Sequence, residues 1–122
     1  MSQDELQEIR KASDGLEYPS ESDAPFDFFH WPKGSGAAWD QVIARGGTGR
    51  KIEEVAIDAF FAELIESDDG ERYKQLRRAL ESQLKELRIF RVGVGETNVD
   101  IYLVGRTRAG DWAGLHTTSV ET

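Results

Sequence analysis

Two sets of apolar residues recur at the spacing of an α-helix. The longer set is Tyr73, Leu76, Leu80, Leu84 and Leu87, with charged residues between its members. The shorter set is Ile57, Phe60, Phe61, Leu64 and Ile65. Steps of three and four residues place each set on one side of a helix, which packs against a core while the other side stays in solvent. We therefore predict helices over residues 57–65, with Asp58 as the N-cap, and over residues 73–87.

Weaker helical patterns lie nearer the start of the chain. Ser2 and Glu5 have the spacing of a capping box, and Gly15 is placed to end the helix that follows them. Residues 38–44 carry a second short helical pattern, which the glycine-rich stretch 46–49 ends. We predict a helix in each of these two segments.

The remaining segments alternate or cluster apolar residues as β-strands do. In the last third of the chain, the predicted strands are Ile89–Val92, Val99–Val104 and Leu115–Val120, with glycine-containing connections. Strands this close in sequence form an antiparallel meander. Upstream, the aromatic run Phe26–Trp31 and the short run Glu53–Ile57 complete the set. Helices before and between strands predict an α+β fold with helices packed on a mixed sheet.

The composition fits a single domain over residues 1–122. Hydrophobic residues make up 39% and aromatic residues 10% of the 122 residues, which is enough for a core in a chain of this length. Cysteine is absent, which excludes disulfides, thiolate metal sites and thiol catalysis. No stretch is apolar enough for a membrane span, and the first residues lack the pattern of a signal peptide. We therefore expect a cytoplasmic protein that is a monomer when free.

The chain is acidic, and its acidity is uneven. There are 23 Asp and Glu against 15 Lys and Arg, which gives a formal net charge of −8. Residues 1–70 carry 16 acids and 6 bases, whereas residues 71–122 carry 7 acids and 9 bases. Such a surface repels a phosphate backbone on average, so we expect no direct nucleic-acid binding. It would attract a basic protein partner.

Residues suited to catalysis are sparse. We expect His30 to be a packed ring and His116 a half-exposed strand residue, because neither has metal-ligand spacing. One alternative is a hydrolase that uses His116 with Asp111 or Glu121, although no Gly-x-Ser-x-Gly turn offers a nucleophile. The other alternative is a small-molecule or peptide-binding module that uses the aromatic strand 26–31 and the glycine-rich loop.

Acidic and hydroxyl side chains also occur in two segments that a partner could reach. Pro19–Pro25 is a polar loop with proline at both ends. Its hydroxyl and acidic residues are Ser20, Glu21, Ser22 and Asp23. The sequence closes on Glu121 and Thr122 directly after a predicted strand, and their oxygens suit a hard cation such as Mg²⁺. Local turns and a frayed chain end are the ordinary explanations of such residues.

Distinctive runs of residues lie mainly toward the two ends of the chain. They are Lys11–Leu16, Ser20–Phe26, Asp58–Phe61, Val99–Gly105, Thr107, Ala109–Gly110, Ala113–Gly114 and Val120–Thr122. With these runs the sequence resembles the nuclease A inhibitor family, the NuiA type. The resemblance implies a three-layer αβα sandwich with a mixed sheet, similar to that of plant pathogenesis-related proteins.

The resemblance also implies a function. The protein would not be an enzyme but an inhibitor of a sugar-non-specific, Mg²⁺-dependent endonuclease of the ββα-metal class. In that family an acidic loop and the chain end are expected to engage the nuclease's active site, and an acidic middle stretch, here within residues 66–71, contributes. The partner-binding residues implied for this chain are Ser20, Glu21, Ser22, Asp68, Asp69, Glu121 and Thr122. Thr122 would meet a metal only as a bridge to the partner's Mg²⁺, and no cofactor is expected.

Overall fold

The computed structural model describes residues 2–19, 23–31 and 49–120. Its helices are α1 (Ser2–Ser13), α2 (Ile57–Ile65) and α3 (Gly70–Gln83). Its strands are β1 (Glu17–Tyr18), β2 (Ala24–Pro25), β3 (Asp27–Trp31), β4 (Ile52–Val55), β5 (Lys85–Val92), β6 (Asn98–Arg106) and β7 (Trp112–Val120). The predicted helix over 38–44 and the capping-box side chains of Ser2 and Glu5 lie outside the described residues. None of the described helices is long and apolar enough to cross a membrane.

Five of the described strands form one sheet in the order β3-β7-β6-β5-β4. The predicted meander of β5, β6 and β7 is confirmed, with Ile89 opposite Leu103 and Leu103 opposite Leu115. The expectation of a mixed sheet is wrong for the described strands, since each neighbouring pair is antiparallel. One helix between two neighbouring strands makes those strands parallel. Here two successive helices, α2 and α3, separate β4 from β5, so β5 runs in the opposite direction to β4.

The described helices cover one face of this sheet. Every second side chain along the strands points to that face and packs against α1, α2 and α3. The fully buried members of this core include Ile9, Leu16, Phe61, Tyr73, Leu76, Leu80, Ile89, Ile101, Leu103 and Leu115. The opposite face has its own buried cluster, made of Trp31, Phe90, Val92, Val104 and Trp112. The α+β class is confirmed, and the third layer of the expected αβα sandwich is not among the described residues.

Helix ends follow the predictions only in part. After Ser13 ends α1, Gly15 takes the left-handed conformation (φ 79°) that the predicted helix end requires. Asp58, in contrast, is not the N-cap of α2, because Ala56 occupies that position. The Asp58 carboxylate lies in the first helical turn instead. There it is attracted by the positive end of the helix dipole, and it forms an ion pair with Arg77 of α3.

The junction between α3 and β5 also differs from the prediction of a helix up to residue 87. The helix ends at Gln83, because Leu84 has extended backbone angles. Glu86 then adopts a positive φ of 56°, and the register with β6 shifts at this point. Leu84 and Leu87 nevertheless both pack on the helix-side core, so the apolar spacing continues through the end of the helix.

Candidate functional site

A short β-hairpin flanks the segment that contains Ser20, Glu21 and Ser22. Tyr18 of β1 pairs with Ala24 of β2, and the two strands contribute two residues each. Ser20, Glu21 and Ser22 themselves lie outside the described residues. The sequence predicted only a loop over 19–25, because two-residue strands are too short to show alternation. The structure corrects this for Ala24 and Pro25, which form β2.

Two buried hydroxyl groups hold the carbonyls of this hairpin. Tyr73 of α3 donates to the carbonyl oxygen of Glu17 in β1, with the two oxygens 2.6 Å apart. Thr117 of β7 donates to the carbonyl oxygen of Ala24 in β2, at 3.3 Å. Both donor residues are 1% exposed. The hairpin is therefore fixed from two elements that are distant from it in sequence.

The last strand ends close to the same hairpin. Val120 is the last residue of β7 and pairs with Asn98 of β6. Thr117, which contacts the hairpin, lies three residues earlier, or about 10 Å along an extended strand. Glu121 and Thr122 follow Val120 in sequence and lie outside the described residues. The strand β2, which follows the acidic loop, and the end of β7, which precedes Glu121, are thus close together.

The turn between α2 and α3 brings a third acidic segment toward the hairpin. Asp68 and Asp69 are both exposed in this turn. Burial is the main cause that raises the pKa of Tyr73 to about 12, and the negative charges of Asp69 and Asp23 add to it. Since Asp23 immediately precedes β2, the described acids of the turn and of the hairpin act on the same phenol.

A charged network that the sequence analysis missed lies on the sheet face opposite the helices. Asp100 of β6 accepts from Arg50 Nη1 at 2.6 Å and contacts His116 Nε2 at 2.9 Å. Arg50 Nε also donates to Glu96 at 3.2 Å. Burial alone would raise the pKa of Asp100, but the hydrogen bonds from Arg50 and His116 outweigh it and hold this pKa below its ordinary value. Alternation along adjacent strands could have indicated the Asp100–His116 pair.

The two histidines do not support the hydrolase alternative. His116 is half-buried, as expected, but its carboxylate partner is Asp100. Asp111 instead contacts His30, with Nε2 and Oδ2 3.0 Å apart. His30 is correspondingly exposed (45%) rather than the packed ring that we expected. Glu121, the other acid of that alternative, lies outside the described residues.

The aromatic strand is used largely for packing. Phe26 and Trp31 are at most 9% exposed and belong to the two buried clusters. Phe28 lies beneath the guanidinium of Arg10, which is 4.4 Å from the ring centre. A groove of about 350 Å³ beside β4 is lined by charged residues, including Glu53 and Glu63, and by the aromatic residues Tyr18 and Phe60. No residue of the aromatic strand 26–31 lines this groove, and residues 46–48 of the glycine-rich loop lie outside the described residues, so the binding-module alternative has no pocket formed by the residues that it named.

Metal binding was expected only through Thr122, as a bridge to a partner's ion, and Thr122 is outside the described residues. Among residues 2–19, 23–31 and 49–120, no three His, Asp or Glu side chains are grouped as ligands for an ion.

Comparison with known proteins identifies the family. The family described as nuclease A inhibitor-like protein, NuiA, matches residues 3–122. No curated protein matches the chain. The match covers nearly the whole sequence, including the acidic loop, the turn at Asp68–Asp69 and the last residue. The chain belongs to the NuiA family of nuclease A inhibitor-like proteins.

Proposed function

We propose that this protein inhibits a sugar-non-specific, Mg²⁺-dependent nuclease of the ββα-metal class by covering its active site. Family membership implies a nuclease-inhibitor role in general. The more specific proposal assigns contact with the active site to Glu21 and to the chain end, Glu121 and Thr122. The observation that carries it is the hydrogen bond from Thr117 to Ala24, which joins the hairpin beside Glu21 to the strand that leads into the chain end.

The chemistry of such a nuclease explains why acids inhibit it. A nuclease that cleaves any sequence binds phosphates through basic side chains and a metal ion. Carboxylates at the same positions compete with the phosphates. The carboxylate of Glu121 and the hydroxyl oxygen of Thr122 would replace exchangeable water on the nuclease's Mg²⁺, because this ion prefers oxygen ligands and usually retains water. The inhibitor needs no metal and no catalytic step of its own.

Charge also supports a basic partner. The formal net charge of −8 attracts a protein whose active site is basic, and Asp68 and Asp69 add exposed negative charge beside the hairpin. Attraction of this kind accelerates association and weakens as salt rises. We propose a one-to-one complex in the cytoplasm, formed by a monomer that does not itself bind nucleic acid.

Matched charge variants test the role of the acidic loop. We expect Glu21→Gln to weaken inhibition by about 2 kcal/mol or more, or at least about 30-fold in the inhibition constant. Glu86→Gln removes the same charge at the start of β5, beside Arg106 and at the far end of β6 from the β7 terminus. It should change inhibition less than about twofold, because it alters only an exposed ion pair.

Removal of Glu121 and Thr122 tests the chain end. We expect a loss of about 2 kcal/mol in inhibition with an unchanged melting temperature, because the chain then ends at Val120, the last residue of β7. The assay is the cleavage of plasmid DNA by a ββα-metal nuclease with Mg²⁺. Wild-type inhibition by both the truncated chain and Glu21→Gln would contradict the site assignment. Absence of inhibition by the wild-type chain would contradict the proposed function itself.

A further inference from the structure

We propose that Tyr73 and Thr117 are positioning residues, which hold the β1–β2 hairpin in the conformation that binds the nuclease. This inference rests on the proposed function, because the hairpin flanks the segment that contains Glu21. Neither hydroxyl needs to touch the nuclease. Each acts through the hairpin carbonyl to which it is bonded.

The hairpin is too short to be stable by itself. It has two paired positions, Glu17 with Pro25 and Tyr18 with Ala24. Isolated two-stranded hairpins are at best marginally stable in water, even when they are longer. Proline at position 25 also lacks the N–H group that would donate a ladder hydrogen bond. The conformation of the hairpin therefore depends on contacts from the rest of the protein.

The two hydroxyl contacts are distributed so that each strand receives one. Tyr73 reaches β1 from the helix layer, and Thr117 reaches β2 from the five-stranded sheet. Each hydrogen bond is partly buried, so loss of either hydroxyl removes a donor that water replaces only in part. The two hydrogen bonds thus fix the hairpin to both layers at once.

Aromatic packing also contacts the hairpin, and it can be separated from the hydrogen bonds. The Tyr18 ring stacks on Phe60 of α2, with ring centres 5.7 Å apart. The Tyr73 ring meets Phe26 edge to face at 6.3 Å. Tyr73→Phe keeps these ring contacts and removes only the hydroxyl. Thr117→Val likewise preserves the shape of the side chain, whereas Thr117→Ser keeps the hydroxyl and removes a methyl group.

Positioning predicts a particular kinetic signature. If only part of the free protein has the correct hairpin conformation, the apparent affinity falls in proportion to that part. Loss of one hydrogen bond lowers the ordered fraction of a marginal hairpin by up to about fivefold. We therefore expect association with the nuclease to slow by up to about fivefold in Tyr73→Phe and in Thr117→Val, and further in the double variant. Dissociation should be unchanged, because no contact with the nuclease is removed.

The experiment measures association and dissociation rates of the full chain with a ββα-metal nuclease, and amide hydrogen exchange of the free protein. Exchange at Glu17, Tyr18 and Ala24 should accelerate in Tyr73→Phe and Thr117→Val, while exchange in the central strand β6 stays close to wild type. Thr117→Ser should restore the wild-type association rate. This rescue separates the hydroxyl contact from a general loss of packing.

Each outcome decides a different point. If the wild-type chain binds the nuclease and both hydroxyl-free variants associate at the wild-type rate, the positioning role is wrong and the proposed function stands. Faster dissociation with unchanged association would also overturn it, since that indicates a direct contact with the nuclease. If the wild-type chain does not bind any such nuclease, the proposed function fails and the positioning role fails with it.

Discussion

The phenol of Tyr73 should make the stability of the fold depend on alkaline pH. Its side chain is 1% exposed, and its pKa is raised to about 12 from an ordinary value of 10. Between pH 10 and pH 12 the unfolded chain releases the phenolic proton while the folded chain keeps it. The free energy of unfolding therefore falls by about 1 kcal/mol for each pH unit in this range. The stabilisation is complete below pH 10.

Tyr73→Phe isolates this effect from other titrating groups. At pH 7 the variant should be less stable by about 1 to 1.5 kcal/mol, because it lacks the 2.6 Å hydrogen bond to the carbonyl of Glu17. By pH 11 the wild-type protein has lost about 1.4 kcal/mol that the variant cannot lose, so the two stabilities should converge.

Urea denaturation followed by tryptophan fluorescence at pH 7, 9, 10 and 11 measures both free energies of unfolding. The variant lacks only the Tyr73 hydroxyl, so the difference between the two curves reports this group alone. A difference that stays constant from pH 7 to pH 11 would refute the reasoning. It would mean that the phenol titrates equally in the folded and unfolded states.

Two further predictions concern the sheet. Asp100→Asn should lower stability by about 2 kcal/mol at pH 7, whereas Glu96→Gln should lower it by less than about 0.5 kcal/mol. Folding lowers the pKa of Asp100, so the Asp100 carboxylate stabilises the fold above about pH 4 and loses this effect as the pH falls further. The difference in unfolding free energy between wild type and Asp100→Asn should therefore narrow on acidification. A difference that stays constant with pH in urea denaturation would contradict this. Gly114→Ala should cost about 3 kcal/mol or more, since the new Cβ would lie 1.7 Å from the carbonyl oxygen of Leu103. Gly95→Ala is the control, because Gly95 has a positive φ but an added Cβ would meet no atom within 4 Å. This variant should lose about 1 kcal/mol of stability. Equal melting temperatures of the two glycine variants would contradict the clash at Gly114.

The parts of the fold that the sequence predicted are those whose signal lies within one element. The meander is visible because β5, β6 and β7 each alternate over several residues before a glycine-containing turn. The end of α3 was not predictable in the same way. Leu84 and Leu87 keep helical spacing although the chain has become extended, because both still face the core.

The parts that the sequence did not predict depend on contacts between distant residues. The hairpin strands at residues 17–18 and 24–25 are too short to show an alternating pattern, and the hydrogen bonds that hold them come from Tyr73 and Thr117, which lie 56 and 93 positions away from their acceptors. The sequence likewise indicated only an ordinary strand residue at Asp100, because its partner Arg50 lies 50 positions away along the chain. The residues of the acidic loop indicated a segment that a partner could reach, but only the resemblance assigned it to a nuclease's active site, since local residue chemistry favours an ordinary polar turn there.

The most direct test of the account is a titration of the wild-type protein into a ββα-metal, sugar-non-specific nuclease with Mg²⁺ and plasmid DNA. We predict that cleavage falls linearly and stops at one inhibitor per nuclease, and that inhibition weakens when salt is raised from low to moderate concentration. Full cleavage in the presence of excess protein, repeated with several nucleases of this class, would contradict the central claim.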